Sequence, residues 1–102
     1  MSKKKLYVDI EPHEGDKVIA PSELDKPNIL ERAAYDEAFV FNSTAKQLYT
    51  KALFNVLRAL KKGGTCEIEM KTNEDAVKVG EEGKIAGFLT AEVSKTKVIL
   101  TK

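Results

Sequence analysis

The chain has 102 residues, enough for one domain that buries roughly two-thirds of its unfolded surface without a disulfide or a metal. Its 17 basic and 16 acidic residues give a net charge of +1, so composition gives no reason to expect nucleic acid or an anionic membrane as a partner. The single cysteine excludes an internal disulfide, and no apolar run reaches the twenty or so residues of a membrane span. Because no secretory signal is recognisable, we expect a cytoplasmic protein.

Hydrophobic alternation predicts two strands near the start of the chain. Leu6, Val8 and Ile10 alternate with more polar neighbours, which is the two-residue period of a strand with one solvated face. Residues 12–16 are of the types that favour turns, and a second, short strand is expected at residues 18–20.

A helix and a third strand are predicted next. Pro27 suits the first turn of a helix, because a residue at that position needs no N–H group, and we place this helix at residues 27–34. Residues 38–41 form an apolar run that predicts the third strand.

The longest amphipathic stretch predicts a core helix that begins after Thr44. Thr44 and Gln47 fit a capping box at its start, and Lys61, Lys62 and Gly63 suit its end. Its apolar residues recur at spacings of three and four, the period of a helix that buries one stripe. They are Ala45, Leu48, Tyr49, Ala52, Leu53, Val56, Leu57 and Leu60.

The last third of the chain predicts a strand, a weaker helix and a hairpin. Gly80 and Gly83 each cost the helix about 1 kcal/mol relative to alanine unless close packing requires them. Thr72 or Asn73 can cap this helix, and Gly87 ends it. The predicted bounds are 65–70 for the strand, 75–86 for the helix, and 88–93 and 97–101 for the hairpin.

At least two of the strands alternate carboxylates with aliphatic residues, whereas strands covered on both faces read as continuous apolar runs. We therefore predict a sheet with its two main helices on one face and a thinly covered second face, for which the helix at 27–34 is the only candidate cover. Two interpretations stay open for that face, a half-solvated sheet or a surface for a partner or a second copy of the chain.

Phe54 lies off the apolar stripe, on a flank of the core helix. Candidate contact residues are Tyr7, Phe54, Glu67, Glu69, Thr90 and Glu92.

Residues suited to catalysis are sparse. His13 is the only histidine, and no second histidine or nearby cysteine completes a metal site. Cys66 falls on the apolar side of its strand, and Glu67 and Glu69 are best explained as solvated charges. No G-x-G loop and no Walker lysine pattern exist, so we expect no catalytic, cofactor or metal site.

Two segments resemble a known enzyme family. Residues 39–41 and 57–65 are similar to the fourth strand, helix and fifth strand of class I S-adenosylmethionine-dependent methyltransferases, which carry an L-x-x-L-K-P-G-G-x-L pattern there. Lys62 replaces the proline of that pattern. Residues 86–88, Ala-Gly-Phe, resemble the A-G-F that leads into the last two strands of the family, and the whole similarity covers residues 35–102.

The resemblance implies a truncated Rossmann-like α/β fold, a mixed sheet with a C-terminal antiparallel hairpin, as one domain over residues 1–102. Before the similar region this chain has 34 residues, where the family has about twice as many, and these 34 residues lack the glycine-rich loop. The resemblance therefore implies lost cofactor binding. The chain resembles in particular the N-terminal domains of anamorsins. This resemblance implies a non-catalytic domain that docks a diflavin reductase in cytosolic iron–sulfur protein assembly. That family's cysteine-rich region has no counterpart here. A small adaptor subunit of a larger assembly and a methyltransferase completed by a partner are the alternatives.

Overall fold

The structure, a computed structural model, describes residues 3–14 and 16–102. This part of the chain forms a six-stranded sheet and two α-helices. The strands are β1 (Lys5–Val8), β2 (Lys17–Ile19), β3 (Tyr35–Val40), β4 (Leu60–Glu69), β5 (Thr90–Ser94) and β6 (Lys97–Thr101). The helices are α1 (Thr50–Ala59) and α2 (Asn73–Ala86), and one 3-10 turn lies at Pro21–Glu23. Within the described residues, no helix combines the length and the apolar character that a bilayer crossing requires.

The strand order across the sheet is β2-β1-β3-β4-β6-β5. The first four of these strands pair in parallel, whereas β6 runs antiparallel to both β4 and β5. Parallel neighbours need a long crossover, which α1 supplies between β3 and β4. The predicted α/β fold, a mixed sheet that ends in an antiparallel hairpin, is confirmed.

Both helices pack on one side of the sheet, which we call the inner face. One row of the inner face consists of in-register neighbours that are each at most 1% exposed, namely Leu6, Ala38, Cys66 and Leu100. In α2, a Cβ atom added to Gly83 would lie 2.6 Å from Leu100 Cδ2. Glycine therefore lets α2 approach β6 closely, as expected if packing compensates for its low helix propensity.

The opposite side, which we call the open face, carries no helix from the described residues. Its central row takes one residue from each strand, in register across the whole sheet: Val18, Tyr7, Phe39, Glu67, Ile99 and Glu92. No member of this row is buried, in contrast to the row on the inner face. The prediction of two helices on one side and a thinly covered second side is confirmed.

Residues 27–34 do not form the predicted helix. Asn28 and Ala33 have φ angles of 59° and 50°, left-handed values that interrupt a right-handed helix. The backbone N–H of Ala33 donates to the carbonyl oxygen of Arg58 at 2.8 Å, and Asn55 Nδ2 donates to the backbone of the preceding segment. These contacts hold the segment against α1, so it does not cover the open face as we expected.

The core helix begins later than predicted. The capping-box pair does form, since the N–H of Gln47 donates to Thr44 Oγ1 at 3.2 Å and the N–H of Thr44 donates to Gln47 Oε1 at 3.0 Å. It caps only an isolated turn, because Tyr49 is extended, with ψ of 176°. The α-helix starts at Thr50, one turn further along the chain.

The end of the core helix was also predicted wrongly. The helix stops at Ala59, and Leu60 already belongs to β4, where it pairs with Tyr35 and is fully buried. Gly63, with φ of 84°, therefore lies within β4 rather than after a helix. Pairing with β3 explains the difference, because it extends β4 five residues beyond its predicted start at residue 65.

The remaining elements agree with their predicted positions to within a few residues. Thr72 caps α2, accepting a hydrogen bond at its Oγ1 from the N–H of Asp75 at 3.1 Å. Gly87, with φ of 121°, follows the helix as expected. Residues 95 and 96 form the hairpin turn between β5 and β6, and the expected turn at residues 12–16 includes Gly15, which lies outside the described residues.

Candidate functional site

A crevice lies at the carboxyl edge of the parallel strands. The chain passes from β1 to β2 on one side and then returns to β3 on the other, so the strand order reverses between β1 and β3. Open α/β sheets bind ligands at such a switch point. A cavity of about 360 Å³ is found there, lined by Asp9, Glu11, His13, Phe41, Asn42, Ser43, Glu69, Met70 and Lys71.

Asp9, the first residue after β1, is the centre of this site, and it is only 5% exposed. Its Oδ1 accepts hydrogen bonds from Asn42 Nδ2 at 2.7 Å and from the N–H of Glu11 at 3.2 Å. Its Oδ2 lies 2.5 Å from His13 Nε2. Burial alone would raise the pKa of Asp9, but these hydrogen bonds outweigh it and lower the pKa to about 2. The carboxylate is thus ionised at neutral pH, and both of its oxygens are engaged by the protein.

An aromatic stack holds His13 in this position. Its ring lies parallel to that of Tyr7, with centroids 4.6 Å apart and an interplanar angle of 5°. The His13 ring also stacks on Phe41, with centroids 5.6 Å apart, and the Tyr7 ring stacks on Phe39, with centroids 5.4 Å apart. The segment after β1 therefore folds back onto the open face and covers part of it.

Sequence reasoning missed this arrangement because it treated His13 as an isolated residue of a polar turn. The available signal was the spacing of Asp9 and His13, four residues apart and directly after a strand that carries Tyr7. The contribution of Asn42 had no sequence signal, since it lies 33 residues from Asp9.

The chemical capacity of the site is limited. An imidazole beside a carboxylate can hold or move a proton, but the neighbouring Ser43 hydroxyl donates to the backbone carbonyl of Phe41 at 3.1 Å and does not contact His13. No group of three or more metal-binding side chains that could hold an ion is found within residues 3–14 and 16–102.

Cys66 is fully buried on the inner face. Burial, with a smaller contribution from the charge of Glu67, raises the pKa of its thiol to about 12. A thiol that stays protonated at neutral pH is a poor nucleophile. Cys66 therefore acts as a core residue.

The structure brings together most of the predicted contact residues. Five of the six lie on the open face: Tyr7, Glu67, Glu69, Thr90 and Glu92. Phe54, 44% exposed, lies on α1 at the other side of the sheet and does not join them. Whether any of these residues contacts a partner stays a prediction.

Known proteins were compared with the chain by sequence and by structure. No protein-family model matches the sequence, and no curated protein matches it either. The structure matches an S-adenosylmethionine-dependent methyltransferase from Thermotoga maritima, described as a possible histamine N-methyltransferase, with a TM-score of 0.66 and 14% identity. That match covers 100% of this chain and 83% of the other.

Two further matches have the same fold. One is the 16S rRNA N2 G1207 methyltransferase of Thermus thermophilus in complex with AdoMet and guanosine, with a TM-score of 0.60, 16% identity, and coverage of 100% of this chain and 35% of that one. The other is PigF with SAH, with a TM-score of 0.55, 16% identity, and coverage of 84% and 35%. At these identities the similarity establishes the fold alone. The chain has a methyltransferase-like fold, and it spans about a third of the length of these two proteins.

Proposed function

We propose that the chain is a non-catalytic protein-interaction domain with a methyltransferase-like fold. One observation carries this proposal, namely that the chain's own groups already bind the buried carboxylate at the switch point of the sheet. Both carboxylate oxygens of Asp9 are hydrogen-bonded, Oδ1 to Asn42 and the backbone and Oδ2 to His13. The His13 ring is held between Tyr7 and Phe41.

In nucleotide-binding sheets the first strand leads through a glycine-rich turn into a helix, whose N-terminus faces the ligand. Here the described residues after β1 turn back onto the open face, and β2 follows at Lys17 without an intervening helix. A ligand that needed the Asp9 carboxylate would have to displace His13. That step would break the contact with Asp9 and two aromatic stacks.

The partner suggested by the sequence resemblance is a diflavin reductase, as for the N-terminal domains of anamorsins, with a role in cytosolic iron–sulfur protein assembly. The similar segments have the positions that a methyltransferase-like fold requires, since residues 57–65 lead from α1 into β4 and residues 86–88 lead from α2 towards β5. A small adaptor subunit of a larger assembly would use the same surface with another partner.

A methyltransferase completed by a partner is the second candidate function. Two observations favour it: two of the matched structures hold AdoMet or SAH, and the cavity of about 360 Å³ lies at the switch point. In this case a partner would supply the contacts that the chain lacks, and His13 would move away from Asp9 when the adenosyl ligand binds.

Calorimetric titration of the purified chain with S-adenosylmethionine and with S-adenosylhomocysteine separates these functions. We expect no saturable heat with either ligand, because the Asp9 carboxylate at the switch point is already bonded to Asn42, His13 and the backbone. Micromolar binding of either one would overturn the non-catalytic proposal. Repeating the titration with His13→Ala tests the cause, since only a site blocked by this ring would gain affinity in the variant.

Direct binding to a purified diflavin reductase, measured by size-exclusion chromatography and calorimetry, tests the identity of the partner. We expect a complex that is weakened when Glu67 and Glu69 are both changed to lysine, with unchanged thermal stability. Glu81→Lys, an exposed position on α2, is the matched control. If the reductase does not bind, the anamorsin-like assignment is wrong, and the adaptor role becomes the better description.

A further inference from the structure

The open face has an apolar half and an acidic half along its central row. In this row, β2, β1 and β3 contribute only aliphatic or aromatic side chains, whereas β4 and β5 contribute carboxylates; the charged pair of Lys5 and Glu37 lies in the neighbouring row. From one edge to the other the row reads Val18, Tyr7, Phe39, Glu67, Ile99 and Glu92. Phe41, stacked on His13, continues the apolar half towards the carboxyl edge of the sheet.

The acidic half is short of positive charge. Where β4, β5 and β6 pair, over residues 65–69, 90–94 and 97–101, Glu67, Glu69 and Glu92 face a single lysine, Lys97, whose Nζ lies 3.3 Å from Glu67 Oε1. Within the described part of the chain, no ion pair reaches Glu69 or Glu92. Three carboxylates and one ammonium group leave a charge of −2 here, whereas the whole chain carries +1. The negative charge is therefore a local property of this surface.

The dimensions of the two halves match a helix. Neighbouring strands are about 4.8 Å apart, so three strand spacings place Phe39 roughly 14 Å from Glu92. A helix with its side chains is about 10–12 Å across. A helix that rests its apolar stripe on Tyr7 and Phe39 would therefore hold one flank above Glu67, which is one strand spacing from Phe39. Only long lysine or arginine side chains on that flank would extend towards Glu92.

A second copy of this chain fits the surface poorly. If two open faces met with their acidic halves opposed, like charges would be brought together at Glu67, Glu69 and Glu92. If each acidic half met an apolar half instead, Glu69 and Glu92 would be buried without an ion-pair partner, which is costly. Charge complementarity thus favours a basic partner over self-association.

We propose that the open face binds one amphipathic helix of a partner protein, with an apolar stripe over Phe39 and the part of Tyr7 that His13 leaves uncovered, and with lysine or arginine residues along the flank that faces β4. This inference deepens the proposed protein-interaction function and rests on it. Helices are the elements that cover sheet faces in α/β folds, and here the partner supplies the missing layer. The acidic half selects the partner and orients its helix.

The test uses the whole chain, labelled with ¹⁵N, and two synthetic peptides of about eighteen residues, or five helical turns. One peptide has a leucine stripe flanked on one side by lysines, and the other is identical except that glutamates replace the lysines. We expect saturable binding of the lysine peptide only, with shifts of amide signals in β1, β3, β4 and β6. Its affinity should fall as salt is raised, because the charges that select it are exposed.

The double variant Glu69→Lys/Glu92→Lys should lower the affinity for the lysine peptide by at least about tenfold, because it replaces attraction with repulsion at two exposed sites. Glu81→Lys on α2 is the matched control and should bind as the parent does. Thermal melting verifies that each variant is folded.

Four results would overturn the inference: no saturable binding of the lysine peptide, equal binding of both peptides, shifts confined to α1 and α2, or a dimer of the free chain formed through the open face. None of them bears on the proposed function, which depends on the separate titrations with adenosyl ligands and with the reductase. Conversely, adenosyl binding would refute the non-catalytic function without changing the peptide result.

Discussion

Replacing each of the two interior glycines of α2 by alanine should have a different effect on stability. Helix propensity alone favours alanine over glycine by about 0.8–1.0 kcal/mol at both positions. The structure distinguishes them, because an added methyl group at Gly83 meets the side chain of Leu100, whereas at Gly80 it meets the side chain of Val93.

At Gly83 the new Cβ would lie 2.6 and 2.8 Å from the two methyl carbons of Leu100, a fully buried residue of β6. Overpacking of a core costs typically about 1–3 kcal/mol, and two contacts below 3.0 Å with a fully buried side chain place this site in the upper part of that range. After the gain in propensity is subtracted, we expect a net loss of about 1–2 kcal/mol. At Gly80 the new Cβ would lie 2.9 Å from Val93 Cγ2. Val93 is 38% exposed at the edge of the sheet and can rotate away, so Gly80→Ala should be neutral or stabilising by up to about 1 kcal/mol.

Urea unfolding of both variants, followed by circular dichroism, measures these differences. Because 1 kcal/mol shifts the melting temperature of a domain of this size by about 4–8 °C, Gly83→Ala should melt about 4–16 °C below the parent. A Gly83→Ala variant as stable as the parent would refute the close contact of α2 with β6. So would a Gly80→Ala variant that is destabilised equally.

The remaining predictions concern the candidate site, a helix cap and the thiol. Because its folded-state pKa of about 2 lies below the ordinary value near 3.9, Asp9 contributes stability that is fully present above about pH 4 and is lost as the pH falls towards 2. Acid titration followed by circular dichroism should therefore show a weaker pH dependence in Asp9→Asn over this interval, and an unchanged profile would contradict the hydrogen bonds assigned to this carboxylate. Thr72→Ala removes the cap of α2 and should cost about 1 kcal/mol in urea unfolding, whereas Thr72→Ser should retain most of the stability. Cys66 should resist alkylation at neutral pH until the protein unfolds, because burial raises the pKa of its thiol to about 12. Rapid labelling of the native protein would show that the inner face is accessible.

Several elements could be predicted from the sequence because their determinants are local. The cap at Thr72 and the stop at Gly87 lie within a few residues of the helix that they bound. The alternation of Glu67 and Glu69 with Cys66 and Ile68 likewise reports the two faces of a strand directly. These patterns sufficed to predict the α/β class, the two helices on one side and the open face.

Other features could not be predicted because they depend on residues far apart in the chain. Residues 27–34 have the composition of a short helix, but hydrogen bonds to the end of α1 hold them in turns. Gly63 follows a helix in the sequence pattern, yet pairing with β3 places it in a strand. The environment of Asp9 likewise depends on Asn42, 33 residues away.

The sequence by itself determined the period of each element, the class of the fold and which side of each strand is apolar, because a side chain's place in the local period decides these. Only the tertiary structure decided that Asp9 and His13 meet at the switch point and that the central row of the open face has an apolar and an acidic half. The order and register of the strands bring these side chains together, and both arise from contacts that no local pattern encodes.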